Sequence, residues 1–255
     1  MQKAKQLAME AVNLDGSLAE AHRSLAGVKI FYDWDWPGAE TEIKRAIELN
    51  SHYADAYRTY ALYLMVIGRF PEALSETERA MEFDPVAVRN YKLPGMILFF
   101  AGQYDRAIEQ YRKALEMEPG FPPAQREIGL AYEQKGMYQE ALAALRETLD
   151  LSGNYFQPTN DADIAHVYAV SGNKGEAERI LNELIQKSEH TYVSPYNIAI
   201  VYAGLGKREK ALEWLNRAYE DHSFWMYWLK IDPRLKELRS EPKFVALERQ
   251  VGLAQ

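Results

Sequence analysis

Five glycines recur at a nearly fixed interval. Gly68, Gly102 and Gly136 stand 34 residues apart, Gly172 follows after 36 and Gly206 after another 34. This spacing constrains the fold more than any other feature, because a 34-residue period is one supersecondary unit that can bury its apolar face only against its neighbours. Other residues keep the same register. Five positions after each glycine stands an alanine (Ala73, Ala107, Ala141, Ala177, Ala211), and seven before it another small residue (Ala61, Gly95, Gly129, Ala165, Ala199). Seven beyond those alanines are Ala80, Ala114, Thr148, Leu184 and Ala218, and four before each glycine is a large side chain: Leu64, Leu98, Tyr132, Tyr168 or Tyr202.

Each recurrence has a physical cause. Glycine ends a first helix where a left-handed backbone costs it little. Small residues let a second helix cross closely, and the large ones fill the space between the two. The polar residues between them fall at helical spacing on an outer face, as in EALSETERAMEFDP. Pro85 and Pro119 each close a unit and begin the next turn, and Gly153 is expected to close a third.

With this pattern the chain resembles the tetratricopeptide-repeat family, most closely over YALYLMVIGRFPEALSETERAMEFDP and GMILFFAGQYDRAIEQYRKALEMEP. The resemblance implies an all-α, right-handed superhelix of antiparallel helix pairs. Six units are expected over 19–224, at 19–53, 54–87, 88–121, 122–157, 158–191 and 192–224. Residues 1–18 read as the second helix of a truncated repeat, with Ala4 and Ala11 at the expected spacing and Leu7 and Val12 exposed to water. That half-repeat suggests a parent polypeptide starting further upstream. Residues 225–255 leave the period and read as a cap: an apolar helix, a break at Asp232-Pro233, and an amphipathic helix started by Ser240-Glu241-Pro242.

The segments YDWDWPGAETEIKRAIELN, TYVSPYNIAIVYAGLGKREKALEWLNRAYEDHSFW and DPRLKELRSEPKFVALERQVGL are similar to the repeat regions of large bacterial signalling proteins. In these, a winged-helix transcription-regulator domain or a serine/threonine kinase domain precedes the repeats. The resemblance implies a sensory or docking region that binds proteins rather than an enzyme. The alternative is a self-association module that oligomerises its parent, with a homodimer as its simplest form.

In the family, set positions of each first helix face a ligand in the concave groove. Carried over by register, the fifth positions are Arg23, Arg58, Lys92 and Arg126, followed by Ala162 and Tyr196. Leu62, Met65, Met96, Phe99, Phe100 and Leu130 fall at the apolar positions, and His166 is the one histidine expected to face the groove. A basic line beside Met and Phe suits a protein or peptide ligand carrying carboxylates and apolar anchors. The competing reading is that these cations pair with acidic residues of neighbouring helices while the apolar set packs the helices together. The family's chaperone-tail clamp, a Lys at the fifth and an Asn at the ninth position of one unit, is absent: the first two units offer Arg23 with Gly27 and Arg58 with Leu62.

Two local departures stand out. Pro94-Gly95 falls inside a first helix, where it either kinks the helix and widens the groove beside Phe99 and Phe100 or marks a late helix start. Trp34 and Trp36 accompany a one-residue insertion, since Ala26 and Ala39 are 13 apart against 12 for Ala61 and Ala73. They are expected to pack in the turn; an exposed pair would indicate a contact surface.

Composition narrows the function classes. A net charge of −7 argues against direct nucleic-acid contact, which needs a positive field. With no cysteine there is no disulfide, thiolate nucleophile or Cys-ligated zinc. The longest apolar stretch, LPGMILFFA, is about half of what spans a bilayer, so no membrane insertion is expected of this segment. The chain fits the cytoplasm, or the periplasm if the parent has an upstream membrane span. The five histidines are scattered, and Glu76, Glu78, Glu109 and Glu140 fall on outer faces. Gly204-Leu205-Gly206-Lys207 follows a helix rather than a strand and reads as the repeat turn, not a phosphate loop. No catalytic residue, metal or cofactor is expected.

Overall fold

The computed structural model describes residues 2–152 and 157–253, and Gly153 lies outside them. Within them the chain is all-α. A leading helix, α1 (Gln2–Leu14), is followed by antiparallel pairs: α2 (Ala19–Val28) with α3 (Trp36–Leu49), α4 (Ala54–Val66) with α5 (Phe70–Phe83), and α6 (Arg89–Phe100) with α7 (Tyr104–Met117). Three more follow: α8 (Pro122–Gln134) with α9 (Tyr138–Ser152), α10 (Gln157–Val170) with α11 (Lys174–Ser188), and α12 (Pro195–Gly204) with α13 (Arg208–Glu220). Two short 3₁₀ helices, Phe224–Trp228 and Pro233–Leu238, lead into α14 (Pro242–Gln250). No described helix is long and apolar enough to cross a membrane.

The residues in register explain the pairs. All five periodic glycines have positive φ, from 73° to 93°, and each ends the first helix of its pair. The small residues sit at the crossings: Ala61, Ala73 and Ala80 are fully buried, as are Ala107 and Ala114 in the next pair. Gly95 marks the closest approach, because a Cβ there would stand 2.5 Å from the Tyr111 ring. Leu64 and Leu98 fill the interior, each contributing about 1.5–3 kcal/mol by burial. The tyrosines at this register position are only half-buried. The hydroxyls of Tyr132 and Tyr168 reach the surface and accept hydrogen bonds from Arg112 at 3.0 Å and Arg146 at 2.7 Å.

The one-residue insertion in the first pair takes a definite form. Residues Lys29–Asp33 make a π-helical turn, which adds one residue to a helix without breaking it. Trp34 then occupies the left-handed region (φ 53°), the conformation that glycine supplies in the later pairs. Both Trp34 and Trp36 are buried, as expected for turn packing, but their partners come from the far end of the chain. Trp34 stacks on His222 at 4.9 Å and Tyr219 at 5.3 Å, and Trp36 Nε1 donates to the Val251 carbonyl at 2.7 Å. His222 is the other non-glycine residue with positive φ among the described residues (47°). The superhelix thus closes on itself: one core cluster joins Ala26 and Ile30 to Trp228 and Leu253, beside a second around Ala165 and Leu181.

Three sequence expectations change. The apolar helix expected at the start of the tail is a 3₁₀ turn. Its three-residue periodicity eclipses side chains i and i+3, bringing Phe224 onto Tyr227 at 5.3 Å and Trp225 onto Trp228 at 4.8 Å. The late start at Pro94 does not occur, since α6 runs through it from Arg89. Val12 is half-buried rather than exposed, because α1 packs Ala8 and Val12 on Leu25 and Val28, while Leu7 stays 55% exposed.

Candidate functional site

The first helices of the pairs line the concave face, and the tail divides it. Toward the amino end, α2, α4 and α6 frame an open groove of about 420 Å³ whose walls include Arg23, Arg58, Leu62, Arg89, Lys92 and Met96. Beyond it lies a smaller, partly open cavity of about 270 Å³ that shares Phe31, Leu62, Lys92 and Met96 with the groove. Its remaining walls come from Pro122, Pro123, Arg126, Glu127, Thr148 and Thr159, and from the tail's Phe224, Trp225, Tyr227 and Trp228.

The tail is held there by aromatic contacts and buried charge. Phe224 and Tyr227 each lie 5.0 Å from the Phe31 ring, and Trp228 lies 5.3 Å from Phe100. The Arg126 guanidinium sits over Trp225 at 5.7 Å, within range for a cation–π contact. Arg234 donates to Asp163 at 2.7 Å and, through several nitrogens, to Asp232; Arg126 Nε donates to the other Asp163 oxygen at 2.7 Å. Tyr196 on α12 donates to Asp232 at 2.9 Å. All four charged side chains are at most 9% exposed, so the charges are affordable only because each is paired and hydrogen-bonded. Burial pushes the Asp232 carboxyl up, but the Arg234 charge and the hydrogen bonds from Arg234 and Tyr196 outweigh it and hold the group below its usual range.

The expected site residues fall into three groups. Arg23, Arg58, Leu62, Lys92 and Met96 line the open groove. Arg126 and Phe100 face the tail instead of solvent. Met65, Phe99, Leu130 and His166 are interior side chains and offer nothing to a ligand. Met65 and Leu130 are core; Phe99 packs edge-on against Phe100 and Tyr104. His166 turns inward because Gly204 leaves room for its ring and Glu133 places a carboxylate oxygen 2.7 Å from Nδ1.

The basic line is largely neutralised. Arg58 is 8% exposed and donates to Asp55 at 2.8 Å, Asp84 at 3.2 Å and Asn90 at 2.8 Å. Arg126 is spent on Asp163 and Glu127. Arg23 remains half-buried, donating to the Thr59 hydroxyl at 3.2 Å, and Arg89, which register did not select, is 61% exposed at the groove edge. Lys92 has no acidic partner within 4.0 Å among the described residues. Phe31 and the tail residues 224–234 were also missed; the signal for them was the aperiodic run FWMYW and the aromatic cluster at the insertion.

The tetratricopeptide-repeat description matches residues 95–155 and 196–220. Those two stretches carry tetratricopeptide repeats. No curated protein matches it. Solved structures share the repeat fold: the human IFIT1 dimer with m7Gppp-AAAA is 17% identical with a TM-score of 0.68, covering 99% of this chain and 64% of that one. A chain of the APC/C hetero-tetramer Cut9-Hcn1 is 16% identical with a TM-score of 0.64, covering 98% and 45%. PilW, a type IV pilus biogenesis factor, is 17% identical with a TM-score of 0.61, covering 87% and 97%. At these identities the tetratricopeptide-repeat likeness is one of fold.

Proposed function

We propose that this chain is a protein-interaction scaffold whose ligand, a segment with carboxylates beside apolar anchors, lies in the open amino-terminal part of the concave face. The observation that carries this reading is the division of that face. The tail fills the part beyond Met96, while the groove before it stays open, with Arg23, Arg89 and Lys92 above Leu62, Leu93 and Met96. That arrangement supplies charge-assisted donors at the rim and an apolar floor. The resemblance of the terminal segments to bacterial regulators supports a sensory or docking role within a larger signalling protein.

Binding of a random peptide library to the full chain tests the site. Arg23→Glu with Arg89→Glu should deplete acidic peptides from the captured pool while leaving the melting temperature nearly unchanged. Capture of the same peptides by both proteins would overturn the reading. Charge reversal at Arg58 or Arg126 would confuse binding with folding, because both guanidinium groups are themselves buried and ion-paired.

A second reading is favoured by one observation. Leu7, Met9, Leu14 and Leu18 at the amino end are 55%, 46%, 84% and 44% exposed, an unpartnered apolar edge of the kind that joins copies. Light scattering across a concentration series decides it: a strict monomer removes self-association through this face.

A further inference from the structure

We infer that the cavity between the repeats and the tail is a binding site for a small aromatic monocarboxylate. Lys92 lines the cavity half-buried and without an acidic partner within 4.0 Å among the described residues. A carboxylate that reaches it there forms a charge-assisted hydrogen bond. Arg126, already bound to Asp163 and Glu127, adds a second positive group in the wall. Glu127 also lines the wall but already pairs with Arg126 at 3.3 Å, which leaves Lys92 as the wall charge without an ion-pair partner within 4.0 Å among the described residues and favours an anionic ligand over an amine.

The rest of the wall sets the shape. Phe31, Met96, Trp225 and Trp228 present flat or flexible apolar surfaces, suited to a ring rather than a branched chain. A volume of about 270 Å³ holds a ring with a short acid side chain, given that a cavity of roughly 150 Å³ accommodates benzene. The tail's aromatic residues form one wall, and the cavity adjoins the groove at Leu62 and Met96. Burial holds the Lys92 ammonium below the usual lysine range; Glu127 opposes that shift and Arg126 adds to it. A carboxylate arriving at Lys92 supplies the countercharge that this half-buried ammonium lacks. The cavity shares Lys92, Leu62 and Met96 with the peptide groove, but Arg23 and Arg89 are not part of its wall, so variants there separate the two readings.

Calorimetric titration of the full chain with 3-phenylpropionate, its primary amide and 3-phenylpropylamine tests the site. The acid should bind saturably, the amide at least about tenfold more weakly, and the amine not at all. Lys92→Met should bring the acid down to the amide, while the Arg23→Glu, Arg89→Glu protein should keep acid binding even if it loses peptides. No saturable binding of the acid, an amide that binds equally well, or preference for the amine would each overturn the site. These comparisons on the unmodified protein hold whether or not the Lys92 variant folds.

Discussion

Arg58 and Arg126 occupy the same register position two repeats apart, and the structure uses them differently. Arg58 is satisfied by its own neighbourhood: Asp55 one turn away, Asp84 at the end of the paired helix, and Asn90 at the start of the next. Arg126 is satisfied through Asp163, and Asp163 in turn holds Arg234 of the tail. One half of the concave face therefore has local electrostatics and an open surface, while the other is a buried network that anchors a distant segment. Repeat register assigns a side chain to the concave face; what it meets there depends on how the superhelix closes.

Removing Arg234 should separate the halves most strongly. Arg234→Ala strands Asp232 and weakens Asp163, and breaking a buried pair costs about 3–5 kcal/mol. Chemical denaturation would show this as a lower midpoint, together with exposure of tail tryptophans. An effect under about 1 kcal/mol would mean that the tail is not held by this network. Arg58→Ala removes hydrogen bonds to Asp55 and Asp84, each 28% exposed and able to hydrate, and one to the buried Asn90, so about 1.5–3 kcal/mol is expected, without any change in the tail's tryptophan emission.

Acid gives a gentler version of the same contrast. Because the Asp232 pKa lies below its ordinary 3.8 in the folded protein, its stabilising contribution is complete above that pH and disappears as pH falls through the lowered value. The groups facing it are Arg234 and Arg239 of the tail, Tyr196 of α12 and, through Arg234, Asp163 of α10. Near-ultraviolet circular dichroism should show the tail's aromatic signal surviving to below pH 3.8 and then collapsing, with Asp232→Asn removing that transition. The smallest effect belongs to Arg89→Glu at the open rim, within about 0.5 kcal/mol by thermal unfolding.

Much of the fold was legible because a repeat writes its nearest-neighbour contacts into the sequence. The glycines with positive φ, the buried alanines and the close approach of Gly95 to Tyr111 all sit where the 34-residue period places them. The candidate site was legible only in part. Asp55, three residues before Arg58, was readable as its partner from helix geometry alone. The contact of Trp36 with Val251 spans 215 residues and follows no period, so nothing local encodes it. Met65, Phe99 and Leu130 were placed on the groove because an apolar residue at a concave position looks the same whether it faces a ligand or a neighbouring helix. The insertion near Trp34 did carry information: a π-turn and a left-handed tryptophan are costly features, and they occur where the two ends of the chain meet.

Closure of the superhelix by its own tail is tested most directly by a distance between its ends. The chain has no cysteine, so Thr41→Cys and Gln250→Cys, both exposed, place two spin labels without interference. Pulsed electron resonance should return one narrow distribution at short separation, as the hydrogen bond from Trp36 to Val251 requires. A broad distribution at long separation would contradict the closed superhelix and the cavity against its tail.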